Sequence, residues 1–135
     1  MSTATLPHEL RCVIVTPEKA LLDEPADFVA LPLYDGEIGI LPGRAPLVGR
    51  LGFGELRIRK GTVTKRYYVD GGFVQVRANV VSVLTSRAMP LEEITAQTVK
   101  QAAEKAAAIK APDERLTAQA RARTLQRLSH HSSTA

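Results

Sequence analysis

The first 87 residues alternate short apolar runs with residues that favour turns. Runs rich in β-branched residues and bounded by Gly, Pro, Asn or Asp are typical of β-strands. In residues 55–60 the alternation is strict, since Leu56 and Ile58 share one face and basic residues take the other. The predicted strands are 9–15, 27–33, 55–60, 62–69, 73–77 and 80–84. Short strands joined by tight turns predict a small β-sandwich or a flattened barrel.

Turn residues separate neighbouring predicted strands at three places. The pairs Lys-Gly at 60–61 and Ala-Asn at 78–79 each predict a turn from one strand into the next. The sequence Asp-Gly-Gly at 70–72 is typical of a β-hairpin. We therefore expect the two strands on either side of residues 70–72 to pair with each other.

The stretch DGEIGILPGRAPLVG, residues 35–49, carries four glycines and two prolines among apolar residues. Pro42 and Pro46 argue against a buried strand, because proline cannot donate a ladder hydrogen bond. The stretch is interpreted as a stiff, half-apolar loop, which would lose little conformational entropy on binding. From the residues alone, this loop either closes the sandwich or contacts a partner.

A change in composition divides the chain into two predicted domains, 1–88 and 89–135. Glycine disappears after the boundary and alanine dominates, which favours helices. Residues 91–110 form the first predicted helix. Glu92 and Glu93 stand near its start, where negative charge suits the helix dipole.

A second helix is predicted after a break at 111–113. Asp113 is the N-cap candidate, because a short carboxylate can accept from the first free amides of a helix. Residues 114–128 form this helix, and residues 129–135 are expected to be a frayed tail.

The predicted helical hairpin has few large apolar residues. Leu116, Leu125 and Leu128 are expected to point in different directions at 100° per residue, so that no clean apolar stripe forms. Alanine faces pack closely but bury little area, at about 25 cal/mol per Å2. Two interpretations stay open: a marginal hairpin that detaches and docks elsewhere, or a helical pair packed permanently on the sandwich.

Composition and charge narrow the class of protein. The net charge of +4 and the pI of about 9.5 suit a nucleic acid, an anionic membrane surface or an acidic protein as partner. No apolar run approaches the roughly 20 residues that span a membrane, and the start lacks the features of a signal peptide. Cys12 is the single cysteine, which excludes an internal disulfide and a thiolate metal cluster. Its apolar neighbours predict a buried, inert thiol rather than a reactive one.

The sequence shows no arrangement of nucleophile, base and acid. His8, His130 and His131 lie near the chain ends, where a prearranged active site is not expected. For the two adjacent histidines a solvated tail is favoured over metal binding. The phosphate-binding pattern G-x-x-x-x-G-K-[S/T] does not occur. We therefore expect a protein that is not itself an enzyme and that uses no metal and no cofactor.

Three stretches, VTPEKALL, DGEIGILPGRAPLV and VDGGFVQVRANVVSVLTSRA, strongly resemble the epsilon subunit of F-type ATP synthases. That subunit corresponds to the one called delta in mitochondria. The resemblance follows the chain in order, and the C-terminal helices match in composition and length. It implies an α+β fold, in which an N-terminal β-sandwich of about ten strands precedes a C-terminal antiparallel hairpin of two helices.

The resemblance implies a mechanical and regulatory role. The family's epsilon subunit is a central-stalk rotor component that binds the gamma subunit and rests on the c-subunit ring. It couples rotation of that ring to ATP synthesis in the alpha/beta catalytic head, and its hairpin can extend along gamma and block ATP hydrolysis. The expected location is the cytoplasmic face of the bacterial plasma membrane, or an organellar inner or thylakoid membrane. We expect the chain to associate with the membrane only through the other subunits of the complex.

The resemblance also implies contact residues in the sandwich. Asp35, Glu37, Leu41 and Arg44 are expected on the surface that faces the c ring and the foot of gamma. A basic group on a polar loop of the ring is the expected partner of the Glu37 carboxylate.

Basic residues of the second helix form another expected contact. Arg121, Arg123 and Arg127 are expected to contact an acidic segment of the catalytic beta subunits, and the last two lie one helical turn apart. A solvated basic face is the alternative. Nucleic-acid binding is disfavoured, because no aromatic residue interleaves with these arginines to stack bases.

Some members of the resembled family bind ATP on the hairpin. Asp113, Arg115, Arg123 and Arg127 are the corresponding candidates for a weak ATP site here. Arg115 lies one position away from the motif arginine, which rotates it about 100° around the helix. Tight ATP binding is therefore not expected.

Two other functions remain alternatives. Within the resembled family, the chain would be a static rotor subunit that does not inhibit hydrolysis. From a different class, it would be a basic adaptor that binds nucleic acid or an anionic membrane surface. Salt-dependent binding to nucleic acid with no affinity for gamma would favour the adaptor.

Overall fold

The computed structural model describes residues 9–109 and 112–133. The chain divides into two compact units, Met1–Ala88 and Met89–Ala135. The strands are β1 (Leu10–Val15), β2 (Ala20–Ala26), β3 (Phe28–Leu33), β4 (Gly36–Ile40), β5 (Leu47–Arg50), β6 (Phe53–Lys60), β7 (Val63–Asp70), β8 (Phe73–Arg77), β9 (Val80–Leu84) and β10 (Ala88–Pro90). The helices are α1 (Ala96–Ala108) and α2 (Pro112–Ser133).

The strands form two five-stranded sheets. The first sheet has the order β2-β1-β9-β8-β5, and the second has the order β10-β7-β6-β3-β4. Strands β1 and β9 run parallel, with Arg11 opposite Val80 and Val15 opposite Leu84. The other pairs with a defined register, such as β8 with β9, run antiparallel. The predicted α+β fold, a sandwich of about ten strands followed by two helices, is confirmed.

Alternate residues of both sheets point into one apolar core. In β9, for example, Val81 and Val83 are fully buried, as the period of two requires for one face of a strand. The buried cluster consists of Leu10, Cys12, Ile14, Leu22, Ala26, Val29, Leu31, Ile40, Leu51, Leu56, Ile58, Val69, Val74, Val76, Val81 and Val83. Burial raises the pKa of Cys12 to about 12. The thiol is therefore neutral and buried, as the sequence predicted.

The strands that sequence reasoning missed are those at the sheet edges: β2, β4, β5 and β10. The interpretation of residues 35–49 as one continuous loop is wrong, because β4 and the first three residues of β5 lie within it. Its two prolines lie in the connection 41–46, outside both strands. Edge strands tolerate glycine, proline and charge, since one side of an edge strand has no ladder to maintain.

The predicted hairpin at residues 70–72 is also wrong. Strands β7 and β8 belong to different sheets, so this turn carries the chain across the sandwich. Gly71 and Gly72 have φ of +73° and +105°. A Cβ on Gly72 would lie 1.9 Å from the Leu84 carbonyl oxygen, so this crossing requires glycine. The turns at 60–61 and 78–79 do join antiparallel neighbours, as predicted.

Helix α1 begins later than the sequence predicted. Residues Leu91–Glu93 form a 3-10 turn, so Glu92 and Glu93 precede the helix instead of lying in its first turn. Thr95 is the N-cap, and its side-chain oxygen accepts a hydrogen bond of 3.2 Å from the Thr98 amide. The cap chemistry at Thr95, rather than helix propensity, therefore decides where α1 starts.

Helix α2 is longer at both ends than predicted. It begins at Pro112, which suits the first helical position because proline lacks the amide that would be unpaired there. Asp113 consequently lies in the first turn and is not the N-cap. Residues 129–133 are helical, so the expectation of a frayed tail is wrong for them.

Helices α1 and α2 pack against each other within the second unit. Leu125 and Leu128 are both almost fully buried, together with Ala122 and Ala106. The expectation that these two leucines point in different directions is wrong, since residues three apart share one face of a helix. Leu116 is exposed, as expected for a residue outside that face.

Candidate functional site

An exposed apolar row crosses the outer face of the first sheet. Val48, Phe73 and Leu84 are 73%, 59% and 55% exposed, although all three lie within strands. Phe73 pairs directly with Leu84 across β8 and β9, and Val48 lies on the neighbouring strand β5 opposite Gln75. Arg50 is the β5 residue opposite Phe73, so Val48 lies diagonally beside the Phe73–Leu84 pair on the same face of the sheet. Exposed apolar side chains that share one face of a sheet make that face a candidate docking surface. We call these three residues the apolar row.

The sequence-predicted contact residues do not form one cluster. Asp35 lies in the turn between β3 and β4, and Glu37 lies at the start of β4. Leu41 and Arg44 lie in the connection that follows β4, at the opposite end of this strand. At about 3.3 Å per residue, Asp35 and Leu41 are roughly 20 Å apart along the chain direction. The predicted set therefore divides into two candidate surfaces at opposite ends of the sandwich.

Glu37 belongs to a row of alternating charges on the outer face of the second sheet. Its carboxylate lies 3.6 Å from the Arg57 guanidinium, which lies 3.7 Å from the Glu55 carboxylate. Glu55 in turn pairs with Arg66 on β7. Sequence reasoning placed Arg57 on the correct face of its strand but missed its pairing with Glu37. Because Glu37 and Arg57 are partly exposed, their pair contributes little to stability and can exchange partners.

The turn that carries Asp35 is fixed to the first sheet. The Tyr34 amide donates a 2.8 Å hydrogen bond to the Arg50 carbonyl oxygen. The Arg50 guanidinium lies 4.7 Å from the centroid of the Tyr34 ring, within the range of a cation–π contact. Asp35 itself is exposed at the tip.

The connection 41–46 is held in place by a side chain from another turn. The Gly43 amide donates a 2.8 Å hydrogen bond to the Asn79 side-chain oxygen, and the Arg44 amide donates a 3.3 Å bond to the Leu41 carbonyl oxygen. Leu41 and Arg44 both remain exposed. The role of Asn79 was not predicted, although an Asn in a tight turn is a recognisable candidate for such a bond.

A separate group of ion pairs surrounds the turn between β6 and β7. The Lys60 ammonium lies 2.5 Å from the Glu9 carboxylate and 3.5 Å from the Asp27 carboxylate. The Gly61 amide donates a 2.6 Å hydrogen bond to Asp27, and this bond, with Lys60, lowers the pKa of Asp27. The hydrogen bond to Glu9 raises the pKa of Lys60. One ammonium and one backbone amide of this chain thus serve both carboxylates, which indicates a structural role.

The arginines of α2 lie along one helix. Arg123 and Arg127 are exposed and one turn apart, and Arg121 is half-buried. The predicted contact to a catalytic head therefore has two accessible guanidinium groups in reach of one acidic segment. The contact between these arginines and the head stays a prediction.

The four candidates for an ATP site do not converge. Asp113 and Arg127 are separated by 14 residues of one helix, which corresponds to about 21 Å. Arg115 lies about 200° around the helix from Asp113. A cavity of about 430 Å3 is lined by Ile109, Asp113, Glu114, Thr117, Ala118 and Arg121. The cavity thus gathers only Asp113 of the predicted set.

The described part of the chain shows neither a metal-binding cluster nor a membrane-spanning helix. Residues 9–109 and 112–133 contain no group of three or more His, Cys, Asp or Glu side chains placed to hold a metal ion. Within the same ranges, neither helix combines the length and the apolar character needed to cross a bilayer.

The fold and these exposed surfaces define a two-part module, in which a β-sandwich precedes a helical hairpin. Residues 9–91 match the family model described as ATP synthase, Delta/Epsilon chain, beta-sandwich domain. The chain therefore belongs to the delta/epsilon chain family of ATP synthases.

Named relatives agree with this assignment. The chain is 58% identical over 83 residues to the ATP synthase epsilon chain of Rhodopirellula baltica. This alignment covers 62% of this chain and 65% of that relative. It is 42% identical over 95 residues to the ATP synthase epsilon chain of Leptospira borgpetersenii, covering 70% of this chain and 75% of that relative. The first of these alignments thus spans slightly less than two thirds of the relative's length.

Solved structures show the same fold. A chain of the Euglena gracilis mitochondrial ATP synthase structure that contains OSCP, F1 and the c-ring matches with a TM-score of 0.74 and 26% identity. That match covers 100% of this chain and 87% of the other. A chain of the Tetrahymena thermophila central stalk/c-ring structure matches with a TM-score of 0.71 at 17% identity, covering 89% and 96% of the two chains.

Proposed function

We propose that this chain is the epsilon subunit of a proton-translocating F-type ATP synthase. It acts as a non-catalytic rotor component of the central stalk that couples rotation of the c ring to ATP synthesis in the catalytic head. The observation that carries the proposal is the apolar row on the outer face of the first sheet. A coupling subunit needs a permanent docking surface of this kind on a rigid part of its fold.

The proposed occupant of the apolar row is the gamma subunit. Fully burying one side chain such as Val, Leu or Phe contributes about 1.5–3 kcal/mol, so covering all three supplies several kcal/mol towards association. The row lies on strands whose opposite face forms the sandwich core, which keeps its side chains in fixed positions. Little ordering entropy is then lost when gamma docks.

The proposed contact to the c ring involves the turn end of the sandwich. Asp35 is exposed at the tip, and the Glu37 carboxylate can exchange Arg57 for a basic group of the ring. We expect this contact to hold the chain at the membrane surface as a peripheral part of the complex. In a bacterium this is the cytoplasmic face of the plasma membrane, and in an organelle it is the inner or thylakoid membrane.

A regulatory role of the hairpin is the finer part of the proposal. Arg123 and Arg127, with Arg121 beside them, would contact an acidic segment of the head and slow ATP hydrolysis. The small buried face of the two helices supports such a role, because a brake needs two arrangements within a few kcal/mol of each other. A static, non-inhibitory hairpin is the alternative within the family.

The docking proposal is tested with the double variant Val48→Ser/Phe73→Ser. Its binding to the cognate complex of alpha, beta and gamma subunits is compared with that of the full wild-type chain by titration calorimetry. We expect the dissociation constant to rise at least about tenfold, as for truncated interface anchors. The matched control is Val63→Ser, which removes an exposed apolar side chain from the second sheet and should bind as the wild type. Equal binding by all three proteins, or none by the wild type, would refute the proposal.

The regulatory part is tested by ATP hydrolysis of the same complex. The double variant Arg123→Ala/Arg127→Ala should relieve inhibition that the wild-type chain imposes, and this relief should be mimicked by raising the salt concentration. The control Lys100→Ala/Lys105→Ala removes two exposed cations from α1. If the wild-type chain binds the complex without slowing ATP hydrolysis, the result supports the alternative of a static, non-inhibitory hairpin.

A further inference from the structure

A cavity of about 340 Å3 opens at the end of the sandwich where β1 and β9 both terminate. These two strands run parallel, so they end at the same edge of the first sheet, with Val15 opposite Leu84. The Thr85 amide donates a 3.0 Å hydrogen bond to the Val15 carbonyl oxygen, which holds the segments after the two strands side by side. The cavity lies within the first unit and is lined by Val15, Thr16, Pro17, Leu84, Thr85 and Ser86. We call it the β1/β9 cavity.

The hydroxyl groups that line the β1/β9 cavity already have acceptors within the chain. The Thr16 hydroxyl donates a 3.1 Å hydrogen bond to a carbonyl oxygen of its own turn, and the Ser86 hydroxyl donates a 2.6 Å bond to the Asp70 carbonyl oxygen. The Thr85 hydroxyl is buried and lies 3.1 Å from a carbonyl oxygen two residues further on. Because a hydroxyl has one proton to donate, these three groups have none left for a ligand. The cavity therefore offers mainly apolar surface.

The same hydrogen bonds fix the walls of the β1/β9 cavity before anything enters it. The Asp70 amide donates a 3.3 Å bond to the Thr85 hydroxyl, and the Thr16 amide donates a 2.9 Å bond within its turn. The crossing between the sheets packs tightly against this segment, since a Cβ on Gly72 would lie 1.9 Å from the Leu84 carbonyl oxygen. A preformed cavity loses little conformational entropy when a ligand binds.

The β1/β9 cavity is continuous with the apolar row. Leu84 belongs to both, because it lines the cavity and pairs with Phe73 across β8 and β9. A chain that covers the apolar row therefore also passes the mouth of the cavity. Its volume lies at the lower end of the range of about 300–1,000 Å3 for pockets that take a whole small molecule. The cavity thus suits one bulky side chain better than a cofactor.

We propose that the β1/β9 cavity receives one large apolar side chain of the gamma subunit, a Leu, Met or Phe, when gamma covers the apolar row. The inference rests on the proposed function and deepens it by assigning the anchor of that interface and the chemistry of the partner residue. A few side chains seated in pockets carry most of the binding energy of a typical interface. The β1/β9 cavity is the place on this face where such an anchor is enclosed instead of lying on a flat sheet.

Polar side chains fit the β1/β9 cavity less well. A carboxylate or an amide oxygen would enter without a hydroxyl donor and would lose its hydrogen bonds to water. None of the six lining residues is charged, so the cavity also lacks a carboxylate to neutralise a Lys or Arg of the partner. An apolar side chain loses no hydrogen bond on entering.

The variant Ser86→Phe tests the anchor by filling the cavity from its exposed rim while leaving the apolar row intact. Its binding to the cognate complex of alpha, beta and gamma subunits is measured by titration calorimetry. We expect the dissociation constant to rise at least about tenfold, because the partner's side chain is excluded. Ser86→Ala is the matched control, since it loses the same hydrogen bond to Asp70 without filling the space. It should bind within about threefold of the wild type.

A second measurement needs no partner subunit. Toluene, the side-chain analogue of Phe, is titrated into the full wild-type chain, and the amide signals are followed by NMR. We expect saturable shifts at Thr16, Thr85 and Ser86, which disappear in Ser86→Phe, and no such shifts with benzoate, which carries a carboxylate on the same ring. Absence of saturable shifts with toluene would overturn the preformed apolar cavity, even where Ser86→Phe does not fold.

The identity of the occupant is tested by cross-linking. A photoreactive group is attached to the variant Lys19→Cys, because Lys19 is exposed and its carbonyl oxygen accepts both hydrogen bonds of Thr16 beside the cavity. Cys12 is buried and does not compete for the label. The probe is the cognate ATP synthase, solubilised in detergent and stripped of this chain. We expect an adduct with gamma, and adducts with other subunits alone would overturn the assignment of the occupant.

The outcomes separate this inference from the proposed function. Failure of the wild-type chain to bind the complex would overturn both. Equal binding by the wild type and Ser86→Phe, together with weakened binding by Val48→Ser/Phe73→Ser, would overturn only the anchor cavity. Tighter binding by Ser86→Phe would overturn it as well, because the added ring would then extend the docking surface instead of excluding a side chain of gamma.

Discussion

The sandwich and the hairpin keep their shapes by different means. In the sandwich, one continuous cluster joins buried side chains from both sheets, and strands far apart in sequence pair with each other. Among the described residues of α1 and α2, the buried side chains are Ala106, Ala122, Leu125 and Leu128, two of which are alanines. Because buried apolar area is the main source of stability, the second unit has much less to hold it.

This difference matches the two proposed tasks. A part that transmits rotation must resist deformation, and close packing makes an interior stiff. A part that switches must have arrangements of similar free energy, which a small buried face provides. The following predictions test whether the two units differ in the way their packing indicates, from the largest expected effect to the smallest.

The crossing between the sheets should be the most sensitive point of the sandwich. Gly72→Ala places a Cβ 1.9 Å from the Leu84 carbonyl oxygen at a φ of +105°. We expect the free energy of unfolding to fall by more than about 3 kcal/mol in urea titrations, or the chain to fail to fold. Gly61→Ala is the control, because its φ is also positive but the space around it is open, and it should cost about 1 kcal/mol.

The hairpin should open before the sandwich unfolds. Native-state hydrogen exchange should show lower opening free energies for amides of α1 and α2 than for those of β8 and β9. Leu128→Ala removes one of the few large buried side chains of the described helices. It should lower the opening free energies of the α1 and α2 amides by about 2–4 kcal/mol, or to zero where the wild-type value is smaller. Leu116→Ala, at an exposed position of the same helix, should leave them unchanged. Equal opening free energies for both units would contradict the comparison.

The start of α1 should depend on its cap. Thr95→Ala removes the oxygen that accepts from the Thr98 amide, at a cost of about 1 kcal/mol. Circular dichroism should record a loss of helix content on mild heating, with the strand signal preserved. Thr117→Ala is the matched control, since the Thr117 hydroxyl only donates back to the Asp113 carbonyl oxygen within α2.

The smallest expected effect concerns pH and the sandwich alone. The Gly61 amide and Lys60 lower the pKa of Asp27 in the folded state, so the ionised carboxylate favours folding above the pKa of the unfolded chain. This contribution is lost as the pH falls through the folded-state pKa. Asp27→Asn should therefore unfold at slightly lower urea than wild type at pH 7, and the two midpoints should converge as the pH falls below the folded-state pKa of Asp27. A difference that stays constant with pH would contradict this assignment.

The sequence predicted the six inner strands and missed all four edge strands. Inner strands such as β8 and β9 alternate between core and surface, and that alternation is visible in the residues themselves. Edge strands such as β4, with sequence GEIGI, carry glycine and charge, because one side pairs with nothing. Local pattern therefore identifies the centre of a sheet better than its borders.

The candidate site was less predictable than the fold. Glu37 and Arg44 could be singled out by resemblance, but their neighbours Arg57 and Asn79 come from other strands and turns. The hydrogen bond from Gly43 to Asn79 spans 36 positions of the chain. Such pairings depend on how the two sheets register, which no local pattern records. The exposed apolar row was missed for the same reason, since Phe73 and Leu84 look like ordinary strand residues until their face is known.

The parallel pairing of β1 with β9 has a consequence for synthesis on the ribosome. Strand β1 emerges first, but its pairing as an inner strand of the first sheet is completed only by β9, near the end of the sandwich. Bringing β1 and β9 together closes the loop between them. The part of the entropic cost that grows with the logarithm of loop length is about 4 kcal/mol here. The nascent chain must therefore keep β1 and β2 from pairing with other chains until residue 84 has left the exit tunnel. The first sheet can therefore be completed only after its last inner strand, β9, has been synthesised.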